Sequence, residues 1–343
     1  MSELDLLIGT TADVYLHRSP DGPGAVWTAL AETGLTSVGI AETHGGSGGT
    51  QTDAAAVVRE AARWPTSVPL AETAMLGDWL LSRAGLPLPS GPVTIAIGAG
   101  AFHMKRNRVG NGWLLSGKAD RVPFGGTSRV ALLAFEDTRP LVVSVPAGSG
   151  SVTHAINLAG EARPTVAFNE CAIQTEDVAD APPGVDLESV RRQGALVRSV
   201  QMVGALEKTL QLAVTHARDR VQFGRPIGRF QAIQHYLAEV ASEVAAANSA
   251  VSWAVIDVRA QESDSVEIAK IAAGRAAGRA ATLAHQVLGA MGFTQEHELQ
   301  IFTRRLWSWR EEFGSETYWA ARIGRNALLR GGEGLWPAIA DNR

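Results

Sequence analysis

Two stretches of this sequence combine residue types that can hold an anionic ligand. The first runs from Arg220 to Gln231 as Arg-Val-Gln-Phe-Gly-Arg-Pro-Ile-Gly-Arg-Phe-Gln. Gly224, Pro226 and Gly228 break it, so it reads as a loop between helices that leads into an amphipathic helix. Its arginines, with Gln222 and Gln231, can donate to phosphate or ribose oxygens. The second stretch, Gln286 to Leu299, reads as a helix end, a small-residue turn through Gly289 and Gly292, and a new helix start. Glycine-rich approaches to helix N-termini favour anions. Taken alone, each stretch is equally readable as ordinary loop and cap residues.

Other candidate chemistry is weaker. The cluster His44-Gly-Gly-Ser-Gly-Gly49 has the composition of a phosphate cradle but lacks the Lys-Ser/Thr ending of a P-loop and a preceding strand. It reads as a flexible interhelical loop. Cys171 is the one cysteine, and its apolar neighbours Val166 to Phe168 and Ala172-Ile173 make it a core thiol rather than a nucleophile. The eight histidines are scattered without a His-x-x-x-His pair, so no metal site is expected.

The 343 residues are enough for two or three cores. A net charge of −4, with basic residues spread among acids, argues against a nucleic-acid partner. The N-terminal MSELDLLIGTTADVY has neither the basic start nor the apolar run of a signal peptide. No stretch reaches the roughly 20 apolar residues of a membrane span. These features predict a cytoplasmic protein.

Three regions must position the candidate stretches. Residues 1–90 read as helical, with apolar stripes through Trp27, Leu30 and Ala31 and through Ala54, Val57, Val58 and Ala61. Residues 91–184 change period. Val93–Ile97, Trp113–Ser116, Val130–Phe135, Leu141–Val145 and Thr165–Phe168 read as strands of a small antiparallel sheet or barrel, closed by Pro182-Pro183-Gly184. Residues 185–343 read as a four-helix bundle. Val203, Leu206, Leu210, Ala213 and Ala217 form one stripe, and Ile233, Leu237, Val240, Val244, Val251 and Val255 another. Asp264 with Glu267 suggests a capped third helix running to about Leu288. A fourth follows Thr294, breaks near Gly314, restarts at Ser315 and ends at Gly331-Gly332. The fold class is therefore α+β.

The two candidate stretches resemble the C-terminal signatures of the acyl-CoA dehydrogenase family: Arg-x-x-Phe-Gly…Gln, and Gln-x-x-Gly-Gly-x-Gly-Phe followed by a Glu-His pair and an Arg-Arg pair. Here the latter continues through Glu296-His297 to Arg304-Arg305. Leu30–Leu35 with Glu42–Gly48 looks like the family's N-terminal helix pair and glycine loop, with Ala41 where proline is usual. Val166–Glu170 looks like its last β-strand. The resemblance implies FAD as cofactor and acyl-CoA as substrate, with an electron-transfer flavoprotein as acceptor. It places Arg220 at the FAD pyrophosphate or adenylate, with Gln222, Phe223 and Gln231 nearby and Gln286 and Gly289 lining the same ADP portion. That flavin is held mainly by a neighbouring subunit. Ala290 stands where the turn's second glycine is usual.

The chain also departs from the family. The Thr-Glu-Pro flavin segment has no counterpart between Ile97 and Trp113, and the Trp-Ile-Thr-Asn stretch aligns with Arg121-Val122-Pro123-Phe124, whose proline has no N–H. The base is missing as well. The chemistry needs a carboxylate to take the substrate's α-proton. The spacing after Arg304 lands on Phe313, before Gly314, and the alternative position on the first bundle helix is Gly194. Glu311 and Glu312 lie close to Phe313 and could substitute if the helix end were re-registered, but read as solvent-facing, and Glu207, another candidate, sits with Lys208 on what reads as a polar face. These departures resemble the short subunits of heteromeric α2β2 acyl-CoA dehydrogenases of actinobacterial steroid catabolism, which predicts a second subunit in a tetramer. Trp307, Trp309 and Trp319 could add apolar area to the interface or pack within the chain, and the sequence favours neither. A partner subunit that binds no flavin, and a homo-oligomeric enzyme with a relocated base, remain alternatives.

Overall fold

The computed structural model describes residues 2–98, 100–107, 112–257 and 263–340. They form two compact units, Met1–Gln193 and Gly194–Arg343. Among the described residues no helix is long and apolar enough to cross a membrane.

The first unit opens with α1 (Glu3–Arg18), α2 (Pro23–Glu32) and α3 (Gln51–Ala61). Ser2 with Asp5, and Thr50 with Asp53, build capping boxes that fix where α1 and α3 begin. Between α2 and α3 the glycine cluster is shaped by its own backbone bonds. Gly48 N–H donates to Ile40 O at 2.9 Å and Ser47 N–H to Ser37 O at 3.2 Å, so these donors are turned inward and do not form a phosphate cradle. A short α4 (Leu70–Glu72) passes through a π turn, Thr73–Gly77, into α5 (Asp78–Arg83). That turn is stitched to the sheet, since Thr73 Oγ1 accepts from Val93 N–H at 3.1 Å and Gly77 leaves room only for the Val93 side chain.

The sheet contains β1 (Val93–Ala96), β2 (Phe102–Arg106), β3 (Trp113–Ala119), β4 (Arg129–Glu136), β5 (Arg139–Val145), β6 (Ser151–Thr153), β7 (Thr165–Ile173) and β8 (Val178–Asp180). Its order is β6-β7-β3-β2-β4-β5-β8, with β1 also paired to β4. The sheet is mixed rather than antiparallel throughout, because β1 and β2 both run parallel to β4. Short apolar runs give strands but not their direction. Strand β2, unread in the sequence, alternates buried Phe102 and Met104 with exposed His103 and Lys105. Cys171 packs against this core half-buried, and burial pushes its thiol up, as suits an unreactive cysteine.

A long helix, α6 (Leu187–Asp219), carries the chain into the second unit. A hairpin, β9 (Val221–Gln222) and β10 (Arg225–Pro226), precedes α7 (Gln231–Ile256), α8 (Ser265–Leu288), α9 (Leu299–Trp309) and α10 (Glu316–Ala340). The break at Gly314 separates α9 from α10, so the expected fourth helix is present in two pieces. The second piece ends at Gly331 as expected, where φ 71° and ψ 172° leave the helical region, and a further helical stretch follows to Ala340. The expected cap at Asp264 and Glu267 does not form. Asp264 accepts instead from Asn326 at 3.1 Å and Arg330 at 3.0 Å, and buried Glu267 pairs with Arg322 at 3.2 Å. Both carboxylates tie α10 to α8, a tertiary use that outranks a local cap.

Asp78 is buried, and among the described residues its Oδ1 has no hydrogen-bond partner. Burial pushes its pKa up to about 7 from an ordinary 3.8. The unfolded chain ionises this group above pH 4 while the folded chain keeps the proton to about 7. Folding therefore takes up a proton in that window, and stability falls as pH rises through it. Asp78→Asn should flatten this slope and stabilise the protein at pH 8 by roughly 2–4 kcal/mol, with little gain at pH 4. Denaturant titrations of both proteins at the two pH values read this directly, and equal differences at both would contradict it.

Candidate functional site

The Arg220 stretch closes one end of the bundle. Arg220 N–H makes the last helical bond of α6, to His216 O at 2.9 Å, and Arg220 O accepts from Ile227 N–H at 2.8 Å. In between, Phe223 at φ 51° and Gly224 at φ 77° make the two-residue turn of the β9–β10 hairpin, with Gln222 facing Arg225. Two positive φ values match the turn that strand twist prefers, although a phenylalanine there is uncommon. The Phe223 ring is 91% exposed and meets Phe230 edge-on at 6.1 Å, while the Arg225 guanidinium stands 4.3 Å over Phe230. Arg220, Gln222 and Gln231 are exposed too, and Gln222 Nε2 donates to its neighbour Val221 O at 2.9 Å.

The Gln286 stretch lies at the same end. Gln286 is exposed on the last turn of α8, and Gly289 follows at φ 60°, ψ −142°, a conformation reserved for glycine. A Cβ added at Gly289 or Gly224 would meet nothing within 4 Å. Gly292, by contrast, is buried, and a Cβ there would press on His285 Nδ1 at 3.0 Å and Leu299 at 3.1 Å. One apolar cluster joins the two stretches: Ala213 and Ala217 of α6, Ala284, Val287 and Leu288 of α8, and Leu299 of α9, with Ile227 and Ile233 against them. All six residues assigned by resemblance, Arg220, Gln222, Phe223, Gln231, Gln286 and Gly289, thus come from stretches anchored in one cluster. Exposed donors beside open glycine turns fit an ADP group.

The sequence reading missed the histidines between these stretches. His216 is held below its ordinary value by burial first, then by His297 and Arg220, with Asp219 opposing. Burial and His297 depress His285 as well. His216 lies one helical turn before Arg220, a spacing that could have revealed it.

The flavin-ring contact in the first unit does not fit. Val122 and Phe124, either side of Pro123, donate their N–H groups to Pro164 O at 2.9 Å and Ala162 O at 3.1 Å. Arg121 and Phe124 are held at φ 57° and 52°. A buried ion pair, Arg163 with Glu161 at 2.9 Å, backs the turn, and the Arg163 guanidinium stands 5.7 Å from the Phe124 ring. These donors face inward. Residues 99 and 108–111 of the segment between Ile97 and Trp113, where the Thr-Glu-Pro motif is missing, lie outside the described residues.

The two positions at which a base is expected, Gly194 and Phe313, lie against each other. A Cβ added to Gly194 would fall inside the van der Waals envelope of the Phe313 ring. Phe313 itself, at φ 57°, ends the α9 turn, and its carbonyl accepts from Trp319 Nε1 at 3.2 Å. Fully buried Arg198 stands 5.6 Å from the ring, donates to Glu312 at 2.6 Å and also holds Gln201. Glu312 is thereby engaged by a buried guanidinium, Glu311 is exposed beside Arg310, and Glu207 is half-buried on α6. Lys270 is buried nearby. Burial first pushes its pKa down to about 7, against the opposing pull of Glu316 and Glu312, and Nζ donates to Trp309 O at 3.0 Å and Arg310 O at 2.7 Å. Trp309 and Trp319 are buried within this unit rather than presented to a partner; Trp307 alone of the three is exposed, with Arg310 4.8 Å from its ring.

The model of the acyl-CoA dehydrogenase N-terminal domain matches residues 10–87, and that of the acyl-CoA dehydrogenase C-terminal domain matches residues 192–328. The chain is 29% identical over 286 residues to the acyl-CoA dehydrogenase IpdE2 of Mycobacterium tuberculosis, covering 82% of this chain and 80% of that one. A chain of the ChsE4-ChsE5 complex from Mycobacterium tuberculosis shares its fold, with a TM-score of 0.85, 23% identity, and 96% and 98% of the two chains covered. So does the Tcur3481-Tcur3483 steroid ACAD, with a TM-score of 0.81, 19% identity, and 94% and 97% covered.

The Gly194–Phe313 contact makes a local prediction. Alanine normally gains about 0.5–1 kcal/mol over glycine inside a helix, whereas overpacking a core costs about 1–3 kcal/mol. Gly194→Ala should therefore destabilise the chain by about 1–2 kcal/mol, and the same change in a Phe313→Ala background should be neutral or stabilising. Equal effects in both backgrounds, measured by denaturant titration, would show that the two positions are not in contact.

Proposed function

The chain belongs to the acyl-CoA dehydrogenase family, FAD-dependent oxidoreductases acting on the CH–CH bond of acyl-CoA, and we propose that it is the subunit of a heteromeric member that lacks the catalytic carboxylate. Bound FAD supplies the hydride acceptor for α,β-dehydrogenation. In this reading Arg220, Gln222, Phe223, Gln231, Gln286 and Gly289 complete the ADP end of a flavin site built mainly by the partner subunit. Arg220 neutralises diphosphate charge, the glutamines donate to ribose and phosphate oxygens, and the open turns at Gly224 and Gly289 admit the ligand close to the backbone. The α-proton of the acyl thioester passes to a carboxylate of the partner, and electrons leave to an electron-transfer flavoprotein.

The packing of Phe313 on Gly194 carries this reading. A base must be a carboxylate free to reach substrate, and the two usual positions are here apolar and mutually filled. The engagement of Glu312 by Arg198 weighs against a base relocated along the same turn. The inward-turned donors at Val122 and Phe124 support a flavin ring seated elsewhere than on this turn. Two neighbours in fold bear names of paired chains, and one is described as a steroid enzyme. Their names support a paired assembly acting on a bulky acyl-CoA.

Arg220→Ala should leave the chain folded and weaken FAD retention by the assembled complex ten- to a hundred-fold, as expected for loss of a charge-assisted contact worth roughly 1.5–3 kcal/mol. Unchanged flavin affinity in a well-folded complex would remove Arg220 from the site. The chain purified without its partner should show no turnover with a panel of acyl-CoAs and an artificial electron acceptor. Robust turnover would place a working base on this chain and contradict the reading.

A further inference from the structure

The elbow that carries Phe313, between α9 and α10, is seated on one stripe of α8. Lys270, Gly274 and Gly278 recur there at four-residue spacing, so they share one face of that helix. Lys270 and Gly274 are buried and Gly278 is half-buried. Each receives a different part of the elbow. Lys270 Nζ donates to Trp309 O at 3.0 Å and to Arg310 O at 2.7 Å. A Cβ added at Gly274 would fall on the Glu316 carboxylate, and one added at Gly278 would stand 3.0 Å from Arg310 Nη1. Arg310 and Glu316 are themselves paired at 2.8 Å. Their ion pair lies in a groove that the two glycines keep open, with the Lys270 ammonium one turn away.

This seat bears on where α9 stops. Carbonyls of a last helical turn have no partner within the helix, and a cation placed there is favoured by their dipoles. Glu316 and Glu312 sustain the Lys270 ammonium against burial and against Arg198. Beyond Arg310 the chain reaches Phe313 at φ 57° and Gly314 at φ 100°, and then turns into α10. A phenylalanine at positive φ persists only where its surroundings hold it. Arg198 holds the neighbouring Glu312, and Trp319 Nε1 holds the Phe313 carbonyl. Lys270 supplies the hold beneath the last turn of α9.

We propose that Lys270 is the positioning residue of the filled base position: its grip on the end of α9 sets the elbow so that the Phe313 ring lies on Gly194. Gly274 and Gly278 supply the close approach that this grip needs. The inference deepens the reading of this chain as the subunit without a base, and takes its functional sense from that reading. The position is closed by a charge on a third helix as well as by the two residues that meet there.

The test is a mutant cycle on the full chain, read by denaturant titration and by NMR of Gly194. Lys270→Met keeps a long apolar stem and removes the ammonium. In the wild-type background Gly194→Ala should lower the folding constant about 5- to 30-fold. In the Lys270→Met background the same change should cost less than about twofold, because the ring no longer lies on Gly194. The Gly194 Hα resonance reads the ring directly. It should be displaced by the ring current in the wild type and return toward an ordinary glycine value in Lys270→Met. Lys270→Gln keeps one donor on a shorter stem and serves if the methionine variant does not fold; it should lose part of both signals. A Lys270 that only adds stability would lower the folding constant equally in both backgrounds and leave the Gly194 resonance in place. An undiminished Gly194→Ala penalty with an unmoved resonance therefore overturns the proposal, while the Phe313–Gly194 contact and the reading built on it stand. No penalty and no displaced resonance in the wild type overturns the contact itself, and with it the observation that carries that reading.

Discussion

The ring of Phe313 lying on Gly194 is the contact around which the chemistry of this chain is arranged. Gly194 is a gap in the face of a long helix, and Phe313 is a large apolar side chain on a strained turn, so each residue explains the other. With the ring in place, the charges around it form a closed set. Arg198 holds Glu312, Lys270 caps the carbonyls at the end of α9, and Trp319 secures the Phe313 carbonyl. Buried charges of this kind are costly unless paired and hydrogen-bonded. The region where the family resemblance places the base is here closed by a ring, with Glu312 held by Arg198 and Lys270 by backbone carbonyls.

The opposite property holds where the ADP group is expected. The donors at Arg220, Gln222, Gln231 and Gln286 are exposed, and the glycine turns beside them are open. An apolar cluster beneath fixes their relative positions, so that the rigid part is buried and the binding part faces out. Under the proposed reading, exposed donors at one end of the bundle and a filled space at Gly194 and Phe313 suit the chain to completing a site rather than to running one. The turn at Val122–Phe124, with its N–H groups spent on neighbouring carbonyls, has the same character.

Much of this was legible in the sequence. Apolar stripes at helical spacing located the bundle, and β-branched runs located most strands, because both periods follow from which face is buried. The two stretches proposed to face the ADP group were marked by glycine, arginine and glutamine in loops. What the sequence hid was tertiary. Strand direction depends on crossovers, which is why β1 and β2 turned out parallel to β4. Asp264 and Glu267 have the spacing of a cap but serve Asn326, Arg330 and Arg322 on a distant helix. Trp309 and Trp319 could face inward or outward by pattern alone, and packing settled them as core. The contact between Gly194 and Phe313 joins residues far apart in the chain, so the sequence could show that both lacked a carboxylate but not that they fill one space.

The central claim is that this chain completes a flavin site without owning one. The most direct measurement is the molar ratio of FAD to this chain and to its partner in the co-expressed, purified assembly, taken with its mass by light scattering. The account predicts a tetramer of two chains of each kind carrying one FAD per partner chain, so that flavins number half the chains. A stable monomer of this chain alone with one tightly bound FAD would contradict it.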